Sequence, residues 1–218
     1  MDSHSAFVRN KFEQVSKLVF PNAKILDLGC GNGEIINFLN SPDYFCADGQ
    51  KELVDSLIKN KIKAKLIDFN KDEFPFKKEK FDFILMLDIL EHVVNPSKLL
   101  KDAKRQLNEK GKLIVTLPND YHFLNKLRFI FNKHLTENPF APYGHLHYFP
   151  IKSGENFLKD NSFKIEKKII LPPVKPKFLP QSVKNFLAQT FPQSFARDVL
   201  YVLNPVASFT SEGSNSSF

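Results

Sequence analysis

The sequence predicts an α/β fold: a doubly wound, mostly parallel seven-stranded sheet with a lid-like insertion after the fifth strand. Three observations predict it. Short apolar runs alternate with segments of helical periodicity over most of the chain, the pattern of βαβ units covered on both faces. A glycine-rich turn in "ILDLGCGNGEII" (residues 25–36) closes the first apolar run and opens a helical segment. The alternation then breaks after "TLPN" (residues 116–119), where a stretch rich in aromatics, histidine and asparagine begins.

Apolar residues at Phe7, Val8, Phe12, Val15, Leu18 and Val19 recur at helical spacing, so an amphipathic helix precedes the first strand, residues 24–28. A helix over 34–39 follows the glycines and stops at "NSPD". Strands are expected at 44–47, 64–67, 81–87 and 112–117, with helices over 51–59 and 96–107. The insertion, residues 119–148, has helical spacing at Phe123, Leu127, Ile130 and Phe131, and it leaves a sheet edge where open α/β sheets bind ligands. A helix over 153–159, a strand over 164–171 and a last strand in "DVLYVLNP" complete the sheet. Residues 172–197 form a proline-punctuated excursion with one amphipathic stretch at 182–188, where a homodimer contact could also form. Residues 1–206 read as one domain, and the polar tail, 207–218, is expected to be disordered.

Hydrophobic residues at 42% and charged residues at 25% are ordinary for a globular chain. No run approaches the roughly 20 apolar residues of a spanning helix, and the N-terminus lacks the apolar core of a secretory signal. A cytoplasmic location without stable membrane insertion is therefore expected. Cys30 and Cys46 lack CxxC spacing and read as reduced thiols. The net charge of +7 admits nucleic acid, an anionic substrate or a membrane surface. The lysines concentrated between 59 and 80 alternate with strand-like apolar positions, which reads as a solvated face, so no nucleic-acid partner is expected.

The glycine loop permits close approach of a ligand, and the following helix N-terminus favours an anionic group. Glu34 follows Gly33, so the dinucleotide spacing fails at its third glycine. Asp27, two residues before Gly29, would repel a pyrophosphate but would pair with an ammonium. The ligand that fits is zwitterionic. Asp48, at the end of the second strand, suits the two hydroxyls of a ribose.

These residues resemble the class I S-adenosylmethionine-dependent methyltransferases over about residues 20–170, a family with a Rossmann-like fold. "LDLGCGNG" looks like the family's first motif, "CADG" like its acidic second-strand end, and "LIDFNKDEFPF" like the segment whose Asp68 and Phe69 would flank the adenine. "FDFILMLDILEHVVNPSKLLKDAKRQLNEKGKLIVTLPN" and "HLHYFPIKSGENFLKDNSFKI" are similar to the branch of the ubiquinone-biosynthesis O-methyltransferase and the methionine-biosynthesis W-protein. One departure is "NEKGK", which keeps only Gly111 of the usual Pro-Gly-Gly. The resemblance implies S-adenosylmethionine as cofactor, held by Asp27, Gly29, Cys30, Gly31, Asp48, Gly49, Asp68, Phe69, Leu87 and His92. It also implies methyl transfer to a small-molecule acceptor, with oxygen preferred.

Such transfer needs a nucleophile about 3 to 3.5 Å from the methyl carbon and removal of any proton. His92, after the fourth strand, is the candidate base, and His145, in the insertion, is the second catalytic candidate. Asn119, Tyr121, His122, Tyr143, His145 and His147 are the candidates for acceptor binding, and sugar, lipid-linked precursor, quinone and amino acid derivative all remain open. No resident metal is expected; the alternative is a divalent cation on the D-x-x-E-H set of Asp88, Glu91 and His92, which comparable ubiquinone-type members carry. The alternative function is a non-catalytic partner that binds and activates a biosynthetic enzyme, which the W-protein resemblance permits. A dehydrogenase is disfavoured by the glycine spacing, by Asp27 and by the lack of a hydride-transfer constellation.

Overall fold

The computed structural model describes residues 3–131 and 144–206. Among them the elements run α1 (Ser3–Ser16), β1 (Ile25–Leu28), a 3-10 helix (Glu34–Phe38), β2 (Tyr44–Asp48), α2 (Lys51–Lys59), β3 (Lys63–Leu66), β4 (Phe81–Leu87), α3 (Pro96–Gln106), β5 (Leu107–Pro118), α4 (Phe123–Ile130), α5 (Ile151–Asp160), β6 (Phe163–Leu171), α6 (Gln181–Thr190), α7 (Pro192–Phe195) and β7 (Asp198–Pro205). Seven strands form one sheet in the order β3-β2-β1-β4-β5-β7-β6. The pairings from β3 to β5 are parallel, and β7 runs antiparallel between β5 and β6. The strand order reverses between β1 and β4, so their carboxyl ends flank the crevice where such sheets place ligands.

The central strands are apolar on both faces because helices cover both. In β4, Ile84 and Met86 pack with Leu26 and Leu28 on one side, while Phe83 and Leu85 join Phe7, Ile25 and Tyr44 on the other. Side chains alternate along a strand, so Asp27 falls on the face of Ile25, the face that α1 covers. At the outer edge, Lys63 and Lys65 of β3 are exposed, which solvates the edge and opposes pairing with another chain. Asn95 caps α3 by accepting the Lys98 N–H at 2.9 Å, with Pro96 in the first turn.

Three local readings change. The segment after the glycines is a single 3-10 stretch instead of an α-helix: its N–H groups bond three residues back, Ile36 to Gly33 and Leu39 to Ile36, and the Asn22 N–H donates to the Asn40 carbonyl directly after it. β5 begins at Leu107 instead of Lys112: Phe81 pairs with Leu107, and the regular ladder resumes at Phe83 and Lys112 after an irregularity. A Cβ on Gly111 would lie 2.7 Å from the Phe81 carbonyl oxygen, which explains why this glycine is the one kept. The excursion contains α7 as well as α6, and α7 is held from outside: the Asn119 side-chain amide donates to the Pro192, Gln193 and Ala196 carbonyls at 3.3, 3.3 and 3.0 Å. Part of the insertion, with Tyr143, and the tail lie outside the described residues.

Candidate active site

β1 delivers the chain into three glycines with positive φ: 72° at Gly29, 55° at Gly31 and 72° at Gly33. Only glycine takes this left-handed conformation without penalty. The Gly29 N–H donates to the Ala47 carbonyl at 2.8 Å, which ties the loop to the end of β2. A Cβ on Gly31 would meet nothing within 4 Å, so this part of the loop faces open space. Asp48 accepts the Gly31 N–H at 2.8 Å on one oxygen and the Gln50 N–H at 2.9 Å on the other. Each oxygen keeps a further lone pair for a ligand hydroxyl.

Asp27 is buried and accepts the Tyr44 hydroxyl at 2.6 Å. Burial pushes its carboxyl up to about 7; the neighbouring Asp48 adds to the rise, and Tyr44 and Lys11 oppose it. An acid with a raised folded pKa binds its proton more tightly when folded, so its share of stability is full at low pH. That share is lost as pH climbs from 3.8 to about 7. Asp27→Asn still accepts from Tyr44, and it is expected to raise the thermal midpoint of the unliganded protein at pH 8 more than at pH 4. Equal midpoint shifts at the two pH values would contradict this account of Asp27.

Beyond the ends of β4 and β5 lies a cavity of about 260 Å³, lined by residues including Glu91, His92, Asp120, His122, His145 and Asp198. Asp88 opens it with φ 57°, and its N–H donates to the Thr116 hydroxyl oxygen at 2.9 Å. That hydroxyl donates in turn to one Asp88 oxygen at 2.5 Å, and buried Lys11 of α1 donates to the other. Burial raises Asp88, but Lys11 and Thr116 outweigh it and hold the carboxyl below its ordinary value. Burial, then the charge of Asp88, pushes Glu91 up to about 8, so it is mostly protonated at pH 7. Its Oε2 is buried and has no hydrogen-bond partner among the described residues. Asp198 is likewise pushed up to about 7 by burial and by Asp88.

The histidines divide by their partners. His145 Nδ1 lies 3.1 Å from Asp120 Oδ1, and this bond raises its pKa above the ordinary value against the effect of burial. His92 Nδ1 lies 3.3 Å from the Gly144 carbonyl oxygen, so that nitrogen carries the proton, and burial lowers its pKa. The two rings meet edge to face with centroids 5.0 Å apart. Burial also lowers His122. His147 donates Nε2–H to the Val93 carbonyl at 2.9 Å and holds the turn after β4.

Residues 3–168 match the family described as "Methyltransferase domain". The chain belongs to that family, the class I S-adenosylmethionine-dependent methyltransferases. An uncharacterized protein of Methanocaldococcus jannaschii is 33% identical to this methyltransferase domain over 169 residues, 73% of this chain and 72% of its own. A tRNA U34 carboxymethyltransferase of Nautilia profundicola is 31% identical over 103 residues, 43% of this chain and 34% of its own, so this chain spans about a third of that relative. Among solved structures, magnesium protoporphyrin IX methyltransferase of Synechocystis, with bound S-adenosylhomocysteine, gives a TM-score of 0.59 at 16% identity over 92% of this chain and 83% of that one. That likeness carries the fold.

The methyltransferase domain fits its family's cofactor on two observations. Open space over Gly31 admits a ligand against the backbone, and the buried Asp27 carboxyl gains when an ammonium arrives, because a cation offsets its burial. Gly49 adjoins Asp48, and a Cβ there would lie 3.5 Å from the Ile67 carbonyl oxygen. Asp68 sits in the turn after β3, where it accepts the Asn70 N–H at 2.9 Å and pairs with Lys71 at 3.1 Å; these contacts lower its pKa. Phe69 and Leu87 are partly buried against the core. Cys30 and Cys46 are free thiols, and the neighbouring Cys46 together with burial pushes the Cys30 thiol up, away from a reactive thiolate.

Tertiary structure regroups the acid and histidine candidates. Asp88 turns to Lys11 and Thr116, while Glu91, His92 and His145 bring one ligand atom each within 4.8 Å of one another, a set that could hold a divalent cation. Asn119 spends its amide on α7, and Tyr121 is exposed. Asp120, Asp198 and Arg197 of the cavity wall, and Lys11 behind Asp88, are the residues that sequence reasoning missed. Lys11 carried a signal, because it stands one helical turn after Phe7 on the apolar face of α1. Asp120 carried another, as an acid at the end of the fifth strand. Asp198 carried none, because its place follows from its antiparallel pairing with Pro118.

Proposed function

We propose that this chain transfers a methyl group from S-adenosylmethionine to a hydroxyl of a small-molecule acceptor, with His145 as base and Asp120 as its positioning residue. The observation that carries the reading is the 3.1 Å Asp120–His145 bond at the wall of a cavity beyond β4 and β5. Asp120 takes the proton-bearing Nδ1, so Nε2 is the nitrogen left to accept a proton from the acceptor. His92, the base that the sequence favours, borders His145 edge to face and supports its ring in this reading. Asp27 and the loop at Gly29–Gly31 would hold the amino acid portion of the cofactor, Asp48 its ribose, and Asp68 with Phe69 its adenine. When bound, the cofactor supplies a methyl group already activated by the sulfonium charge, so no covalent enzyme intermediate is required. Glu91, kept protonated, adds little negative charge beside the acceptor.

A nucleic-acid acceptor is the second reading, favoured by the +7 charge and by the tRNA-modifying relative. The acid-lined cavity weighs against it, since Asp88 and Asp120 would repel a phosphate backbone. Calorimetric titration with S-adenosylmethionine, S-adenosylhomocysteine and NAD tests the first step: micromolar binding of the two adenosyl compounds without NAD is expected. Binding of neither favours the non-catalytic partner. Asp48→Ala is expected to weaken S-adenosylhomocysteine by about 1.5 to 3 kcal/mol, the value of hydrogen bonds to a charged group. Unchanged affinity would remove Asp48 from the ribose site.

A further inference from the structure

Beside the acid and histidine cavity lies a larger, partly open one of about 720 Å³, between α4 and the excursion that carries α6 and α7. Its walls are largely apolar, with Phe123, Leu124, Val174, Leu179, Leu187 and Phe195 among them. Every charged or titratable residue on it is basic: His122, Arg128, Lys175, Lys184 and Arg197. His122 and Arg197 also line the smaller cavity, so the two share a wall.

Lys184 sharpens the picture. It is 6% exposed, and its ammonium donates to the Val174 carbonyl and, at 3.5 Å, to the Pro176 carbonyl. Among the described residues no carboxylate lies in ion-pair reach of it, whereas the other buried lysine, Lys11, has Asp88. A buried cation facing only carbonyl dipoles is a charge awaiting its counterion.

We propose that this pocket binds an organic anion with an extended apolar body, its anionic group at Lys184 and its other end toward the wall of His122 and Arg197. The volume falls in the range of pockets that enclose whole small molecules. The absence of acidic side chains from the lining matches a negatively charged guest and excludes a cationic one. That this guest is the methyl acceptor rests on the methyltransferase reading above; that it binds does not. The proline-punctuated excursion thereby becomes the selector of the acceptor class.

Calorimetry with dodecanoate, below its micelle concentration, and with dodecylammonium as the charge-reversed chain tests the proposal. Dodecanoate is expected to bind at least tenfold more tightly. Lys184→Met should erase that preference, and Phe178→Ser, a change at an 84% exposed rim residue that leaves the fold intact, should weaken dodecanoate several-fold. S-adenosylhomocysteine is titrated into each variant, and its unchanged binding certifies the fold. Equal affinity for the two chain ions, or dodecanoate binding indifferent to both substitutions, overturns the proposal. S-adenosylhomocysteine binding without dodecanoate binding overturns it and leaves the methyltransferase reading standing. Dodecanoate binding without S-adenosylhomocysteine supports the pocket and removes its role as an acceptor site.

Discussion

His145→Asn is expected to lower the rate of methyl transfer by about 10²- to 10⁴-fold, the range for a lost general base, with S-adenosylhomocysteine affinity within about twofold of the parent. Asparagine keeps a polar group near Asp120 but cannot take up the acceptor's proton. The pH profile separates catalysis from structure. A base must be neutral to act, so the rate should rise with pH through the pKa of His145, which its bond to Asp120 raises above the ordinary histidine value. Asp120→Asn removes that bond's charge, so the rising limb should move to lower pH while the maximal rate falls. The measurement is initial rate against pH with the acceptor that a labelled-methyl screen returns. A limb that stays in place in Asp120→Asn would assign the titration to another group, with His92 next in line.

Lys11→Met should cost about 2 kcal/mol of stability at pH 8, read by urea unfolding. Breaking a fully buried pair costs about 3 to 5 kcal/mol; Asp88 keeps 37% of its side chain exposed, and water screens part of the loss. Lys11 also lowers Asp198 and Asp27 through its charge, so its removal leaves three carboxyls without their shared cation. The raised values of Asp27 and Asp198, about 7 each, then set the pH dependence. At pH 5.5 these two acids are largely protonated and the cost should shrink. A cost that is the same at both pH values would mean that Lys11 acts through packing of its stem alone.

Glycine at positions 29, 31 and 33 and an aspartate before them were legible in the sequence because they are local: a turn that demands positive φ selects glycine wherever it occurs. The strand runs were legible for a similar reason, since strands buried on both faces must be apolar throughout. The 3-10 stretch after Gly33 and the early start of β5 were missed because they depend on neighbours, on the anchoring of Asn40 by Asn22 in one case and on pairing with Phe81 in the other. Helix α7 was missed because Asn119, some 73 residues earlier in the chain, supplies the hydrogen bonds that hold it.

The sequence by itself determined the α/β class, the glycine loop with its two acids and the membership in the methyltransferase family, because periodicity and turn chemistry act over a few residues. Tertiary structure alone decided the partners. It set Lys11 on Asp88, paired Asp120 with His145, drew Glu91, His92 and His145 together, and folded the proline-rich excursion over a basic, apolar pocket. These contacts join side chains from separate elements, and what brings them together is the burial of both sheet faces and the reversal of strand order at β1 and β4. Lys11 and Asp120 mark themselves locally, but the pairing of distant elements is not written in the spacing of the residues that meet.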